Sequence, residues 1–481
     1  MSTATTLMLI ALLIPVAGAA LVVITGRWQN LRETMTLLTA GSLFLLVIQL
    51  PGNVETTVLA ELAPAFTLAF HVEPLGYVFA VLASFLWIIT SIYSIGYMRA
   101  HHEQNQTRFY AWFAIAIAAV MGVAFSANLL TLFVFYEILT LSTWPLVTHS
   151  QTEEARRSGR IYLGILVGTS MVFLLLATGS IWHLTGTLDF QSGGVFNKNI
   201  PAAILAIVYT LFIFGVGKAA LMPFHRWLPA AMVAPTPVSA LLHAVAVVKA
   251  GVFTILKGTV YLFGLDTLSE SGASVYLLPV AAVTIVLASL IALRKDNLKA
   301  RLAYSTISQL SYVVLGALLA NVHGIIAGTM HMVMHGFAKI TLFFCAGAIL
   351  VASHQTEISH MRGLGKKMPI TMGAFLIGAL AIIGLPPLGA MWSKWYLILG
   401  TLDRGYWSII AVLVISTLLN IAYLLPIPIR GFMNGPERGN DTLEEAPFAC
   451  LLAICITVIG CIVLFFQAPA LVAFLNEGLN L

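Results

Sequence analysis

Long apolar stretches alternate with short polar ones along the whole chain. Runs able to cross about 30 Å of hydrocarbon fall at 6–25, 33–50, 74–98, 109–126, 128–148, 160–183, 202–233, 237–263, 273–293, 301–320, 323–352, 369–400, 407–429 and 447–473. The pattern predicts an all-α polytopic membrane protein with fourteen transmembrane helices. The first run is read as a retained span rather than a cleaved leader, because it lacks a basic start and stays apolar to Ile24. Two runs are broken by prolines, at LMPFHRWLP (from Leu221) and at IIGLPPLGAMWSK (from Ile382). Proline in a span frees carbonyl groups, which are tolerated only inside protein or against a wet cavity. Corresponding breaks point to a transporter built from repeats. Here they are an odd number of spans apart, so the repeats are inverted: spans 4–8 and spans 9–13. The expected units are 1–106 (spans 1–3), 107–263 (first repeat), 264–430 (second repeat) and 431–481 (last span).

Composition agrees. The 481 residues are 59% hydrophobic and 9% charged, against about 25% charged in a soluble chain. The net charge of +5 is small and carries no sign of a nucleic-acid partner. Cys345, Cys450, Cys455 and Cys461 lie in apolar runs without a C-x-x-C pair and are read as buried core residues. No haem, iron–sulfur or phosphate-binding pattern is present, so neither a cofactor nor a metal is expected. Loops after odd-numbered spans hold sixteen lysines and arginines, those after even-numbered spans only Lys198 and Arg404. The positive-inside rule then places odd loops in the cytoplasm and both termini outside, in a cell (cytoplasmic) membrane.

What remains inside the membrane carries the chemistry. A charge at the bilayer centre costs at least about 2.5–3.5 kcal/mol, so an ionisable residue there is a functional candidate. Glu137 is read as the one acid in mid-span, either in a switchable pair with Lys218 or in a fixed ion pair. Lys218 follows Gly215 and Gly217, which admit a neighbouring backbone, and lysine loses its proton on burial where arginine does not. Lys249 is similar, whereas Lys257, near a span end, reads as a snorkelling anchor. His331, His335 and Lys339 share one helix face at i, i+4, i+8, a line suited to a proton relay because imidazole titrates near neutrality. HxxxH also suits zinc, but no third ligand is near. His225 and His243 are candidates for the same relay or for core histidines. Lys394, after the second break, is the last titratable group before the outer side or an interfacial anchor beside Trp392 and Trp395. Lys299, opening span 10, is an interfacial residue or a relay member. His71, His101, His102, His149, His183, His323, His354 and His360 read as solvated.

FxxYEILTLSTWPLV at 133–147, GKAALMPFHRWLPAAMVAPTPVSALLHAVAVVKAG at 217–251, DNLKARLAYSTISQLSY at 296–312, HMVMHGFAKITLFFCAG at 331–347 and GLPPLGAMWSKW at 384–395 resemble one family. It is that of the antiporter-like proton-translocating subunits shared by respiratory complex I, membrane-bound hydrogenases and Mrp cation/proton antiporters. The resemblance implies fourteen spans in inverted repeats and both termini outside. It makes Glu137, Lys218, Lys249 and Lys394 the proton-translocating residues, with His331, His335 and Lys339 as relay. It also implies other membrane subunits as partners, protons and Na⁺ or K⁺ as cargo, and a transporter subunit rather than an enzyme in its own right. Lys394 stands where the complex I M type usually has glutamate, and the L type's long lateral helix is not expected in a sequence that reaches Leu481 soon after span 14. The chain therefore looks most like the D type of Mrp antiporter component, with a complex I, hydrogenase or carbon-uptake pump subunit as the alternative.

Overall fold

The computed structural model describes residues 2–64, 66–197, 199–241, 245–433 and 443–479. His243, Lys198 and Arg438 lie outside the described residues. The chain runs through α1 (Thr3–Ile24), α2 (Gln29–Val47), a β-hairpin of β1 (Val54–Ala63) and β2 (Phe66–Val72), then α3 (Pro74–Ala100), α4 (Gln106–Ala124) and α5 (Leu129–Val147). Next come α6 (Glu153–Thr185), α7 (Ala202–Gly215), α8 (Val247–Phe263) and α9 (Val275–Arg294). They are followed by α10 (Leu298–Leu318), α11 (Val322–Ser353), α12 (Pro369–Ile383), α13 (Ala390–Asp403), α14 (Trp407–Leu424), α15 (Phe448–Phe466) and α16 (Ala468–Leu479).

Among the described residues, nine helices are long and apolar enough to cross a membrane, or ten if α8 and the helix Leu265–Ser271, bent at 81°, count as one. Helices α2 and α10 fall short through polar residues along their length, α7 and α12 through length. The hairpin corrects the all-α expectation. Its strands pair antiparallel from Val54–Val72 to Ala63–Phe66. The second strand buries Ala69, Phe70 and Val72, whereas the first is exposed along nearly its whole length after Val54, in a stretch that carries no spanning run.

Local chemistry fixes where the helices start. The side chains of Ser2, Asn128, Thr152, Asn297 and Asn321 each accept the backbone N–H three residues on, satisfying donors that a helix start leaves orphaned. Asn128 also pairs as an isolated bridge with Asp189, and the same cap and bridge recur at Asn297 and Glu357. Both proline-marked stretches are broken. The first break opens at Gly215, earlier than the prolines. There α7 gives way to a 3₁₀ turn, Gly217–Ala219, held by the Trp227 indole donating to the Gly217 carbonyl at 3.0 Å. In the second, α12 stops at Ile383 and α13 begins at Ala390. Gly215 lies against the backbone of Leu174, in the π-helical stretch Ser170–Leu174 of α6, and Gly217 against the Thr169 side chain. Side chains there would hold α6 off the break.

Three expectations about side chains are corrected. Lys257 does not snorkel. It is fully buried, 2.8 Å from Glu73 at the start of α3. His149 is buried, not solvated: its Nε2 faces the Gln104 carbonyl at 3.0 Å, and burial pushes its pKa below the ordinary value. Cys455 is exposed on α15, while Cys345, Cys450 and Cys461 are buried.

Candidate functional site

The 3₁₀ turn after α7 carries Lys218 into the side of α5. Its Nζ donates to the Tyr136 carbonyl (2.8 Å) and the Thr140 hydroxyl (2.6 Å) and lies 3.1 Å from the Tyr136 ring centroid. The turn is locked from the other direction by the Lys218 N–H, which donates to the Tyr136 hydroxyl at 3.1 Å. Glu137 is the next residue on α5, yet it is not in an ion pair with Lys218 within 4.0 Å, and its Oε1 is buried without a hydrogen-bond partner. The expected Glu137–Lys218 pair is therefore not formed in this structure. The ammonium has a neutral cradle, and an unsatisfied carboxylate oxygen belongs to the next residue.

Helix α8 crosses the same turn. Gly251 packs on the Lys218 and Ala219 backbone, which sets Lys249, two residues earlier, into the interior. Lys249 Nζ lies 2.5 Å from His335 Nδ1 on α11. The His335 and His331 rings stack at 5.7 Å and 16°, and His331 stacks in turn on Tyr312 of α10 at 5.3 Å. His331 Nδ1 meets the Ser393 hydroxyl at 2.9 Å. Ser393 precedes Lys394, whose Nζ donates to the Ile383 carbonyl exposed by the second break (2.8 Å) and sits 5.5 Å from the Tyr312 ring. One turn beyond His335, Lys339 donates to Ser305 of α10 at 2.6 Å.

These contacts bring Lys249, His335, His331 and the Ser393–Lys394 corner into one buried line, with Lys218 beside its first member and Lys339 branching from it. Lys218, Lys249 and Lys339 are completely buried. Neither His225 nor Lys299 joins the imidazole stack. The His225 ring lies 6.3 Å from Tyr304 with its Nδ1 buried and unpartnered, and Lys299 Nζ donates to the Ala234 carbonyl at 2.6 Å. Among the described residues no group of three or more metal ligands occurs. Sequence reasoning missed the neutral partners, namely Tyr136, Thr140, Ser305, Tyr312 and Ser393. The polar positions Ser305 and Tyr312 stand seven residues apart, on one face of a helix, which is a readable signal once the helix is known to be buried.

Chemically, lysines held by carbonyls, hydroxyls and an imidazole can lose a proton without stranding a carboxylate. Adjacent imidazoles can accept on one nitrogen and release from the other. The arrangement suits proton transfer from helix to helix through the interior.

Known proteins show the same build. Residues 126–420 match the family model described as NADH:quinone oxidoreductase/Mrp antiporter, transmembrane, and residues 63–110 match that of the complex I chain 5 N-terminus. NADH-quinone oxidoreductase subunit N of Desulforudis audaxviator is 30% identical over 452 residues, 90% of this chain and 89% of the relative. NAD(P)H-quinone oxidoreductase chain 5 of Synechocystis is 33% identical over 374 residues, 72% of this chain but 52% of the relative, so the chain spans about half the length of that longer protein. Among solved structures, an archaeal membrane-bound sulfane sulfur reductase shares the fold, with a TM-score of 0.84 at 23% identity over 98% of this chain and 97% of the other. The Mrp complex from Dietzia sp. superposes with a TM-score of 0.84 at 25% identity, over 99% of this chain and 52% of the other.

Proposed function

The chain belongs to the NADH:quinone oxidoreductase/Mrp antiporter family of proton-translocating membrane subunits, and we propose that it is the proton path of a multisubunit Na⁺(K⁺)/H⁺ antiporter, of the Mrp D type. It works with other membrane subunits, in a cell membrane, with fourteen spans and both termini outside. The recurrence of the Asn128–Asp189 cap and bridge at Asn297–Glu357, each at the start of the helix two places before a broken one, supports two inverted units, spans 4–8 and 9–13.

The observation that carries the reading is the row of contacts from Lys249 to His335, from His335 by ring stacking to His331, and from His331 to Ser393, the residue before Lys394. In this mechanism Lys218 swings from Thr140 to the free Glu137 oxygen. Its positive charge then moves relative to Lys249, which gives its proton to His335. His331 and Ser393 pass a proton on to Lys394 and outward. Imposed potential supplies about 2.3 kcal/mol per charge per 100 mV, enough to drive one such transfer of a pKa unit or more. Glu137 by itself offers thin coordination for a hard cation that takes several oxygens, so the metal ion crosses through partner subunits.

A second reading has comparable support. The D. audaxviator subunit N matches nearly its whole length, which favours the same proton path coupled to a redox-driven complex. Everted vesicles from an antiporter-deficient host, carrying the complete assembly, separate the two. The antiporter reading expects Na⁺ or K⁺ to collapse an imposed pH gradient, with the response lost in Lys218→Ala. A wild type with no cation response, and with gradient formation on adding a quinone-linked reductant, overturns it in favour of the redox complex.

A further inference from the structure

A seam of polar groups separates α10 from α14. Helix α10 presents Ser305, Gln309 and Tyr312 at i, i+4 and i+7, one helix face, and α14 presents Ser416, Asn420 and Tyr423 with the same spacing. All six are buried to within 1%. One end of the seam is tied to Lys339. Its Nζ donates to Ser305 Oγ, Ser305 Oγ lies 2.9 Å from the Tyr423 hydroxyl, and that hydroxyl lies 2.5 Å from Asn420 Oδ1. The other end is tied to Lys394, whose Nζ donates to Thr417 at 3.4 Å, with the Tyr312 hydroxyl beside Ser416 and Thr417.

Between the two ends the hydrogen bonding stops. Gln309 Oε1 and Nε2, Tyr312 Oη, Ser416 Oγ and Asn420 Nδ2 are buried without partners. An unsatisfied buried polar atom costs about 1–3 kcal/mol, and native interiors carry few of them. Five along these two helix faces, between groups tied to Lys339 and to Lys394, mark a site for water, which needs 2–4 polar partners. Ser416 and Asn420 are one helical turn apart, roughly 5–6 Å, a gap that one water bridges.

We infer that this seam holds water and forms a second proton route from Lys339 to Lys394, parallel to the imidazole route through His331 and Ser393. The inference rests on the proposed function. Lys339 gives a proton to the Ser305 oxygen as Ser305 passes its own to Tyr423, and Tyr423 passes its own to the water. The water protonates the Tyr312 or Ser416 hydroxyl, which passes its own proton to Thr417, and Thr417 hands its proton to a neutral Lys394 amine. Lys339 ends one proton poorer and Lys394 one richer, while every hydroxyl and the water end neutral with their hydrogen bonds reversed. Gln309 and Asn420 do not titrate. They are positioning residues that hold the water.

The test is proton flux through the complete assembly in everted vesicles for four variants: Gln309→Leu/Asn420→Leu, His331→Leu, the two combined, and Lys394→Ala. Each route broken alone costs several-fold in flux, and the combination falls to the Lys394→Ala level. With His331→Leu, where the seam alone conducts, flux slows further in heavy water. In the seam variant the melting temperature is not lowered by loss of the unpaired Gln309 groups, so a structural role would not give this result. Should the leucine variants fail to accumulate, Gln309→Met with Ser416→Ala carries the same comparison. His331→Leu abolishing flux by itself, or the seam variant conducting fully both alone and combined, overturns the second route. Full flux in Lys394→Ala instead overturns the underlying axis.

Discussion

Four buried lysines and the half-buried Lys394 divide into two kinds by their partners. Lys218, Lys249, Lys339 and Lys394 meet carbonyls, hydroxyls or an imidazole, and among the described residues no carboxylate lies within 4.0 Å of any of them. Lys257 meets Glu73 at 2.8 Å, with the Ala124 and Ser126 carbonyls completing its shell. A proton lost from the first kind strands no carboxylate; one lost from the second leaves Glu73 without its cation. Glu73→Leu/Lys257→Met should therefore retain most of the stability that Lys257→Met alone loses. Breaking one side of a buried pair costs about 3–5 kcal/mol, whereas replacing both sides by apolar groups is often near neutral. Thermal unfolding of the purified protein reads this, and a double variant no more stable than the single one contradicts it. The lysines of both kinds stand out in the sequence because an ammonium in hydrocarbon is expensive wherever it points. Gln309, Ser416 and Asn420 do not, since a single amide or hydroxyl in an apolar run costs less and gains meaning only from the groups across the helix interface. Glu73 is hidden for a related reason: it stands at a helix start, and only the fold brings Lys257 of α8 over it.

At the scale of elements, the break after α7 is a packing feature as much as a proline feature. The helix ends at Gly215, before any proline, and the turn at Lys218 is clamped between Gly251 of α8 and Tyr136 of α5. The glycines are legible as sites of close approach, but which helix approaches is not, because i, i+4 patterns say nothing of partners. A Cβ at position 251 would meet the Ala219 nitrogen and stand 2.5 Å from the Lys218 carbonyl carbon. Overpacking of that kind costs about 1–3 kcal/mol and is relieved by backbone shifts, here at the residue that holds the Lys218 ammonium. Gly251→Ala should then assemble in reduced but measurable amount and carry markedly less flux per assembled complex. Gly164→Ala, on an open part of α6 where nothing lies within 4 Å, should match wild type and serves as the control. Wild-type flux per complex in Gly251→Ala contradicts a role for this contact. The β-hairpin is the element least visible in the sequence. Its strands compete with fourteen stronger apolar signals and span too few residues to redirect them.

For the whole molecule, the line of titratable groups passes from one half to the other at Lys249 of α8 with His335 of α11. The broken helices, the buried lysines and the histidine face are all legible, since each follows from a period or a charge in the sequence. The place where the line crosses is not, because it depends on how α8 lies against α11. The central claim is that protons pass through this join rather than anywhere a buried lysine happens to sit. It is tested most directly by proton flux in everted vesicles for Lys249→Ala beside Glu73→Leu/Lys257→Met, both in the complete assembly and normalised to the assembled amount. Lys249→Ala should abolish flux while the double variant, which removes an equally buried lysine off the line, retains it. Flux persisting in Lys249→Ala, or lost only with the Glu73–Lys257 pair, would contradict the proposed path.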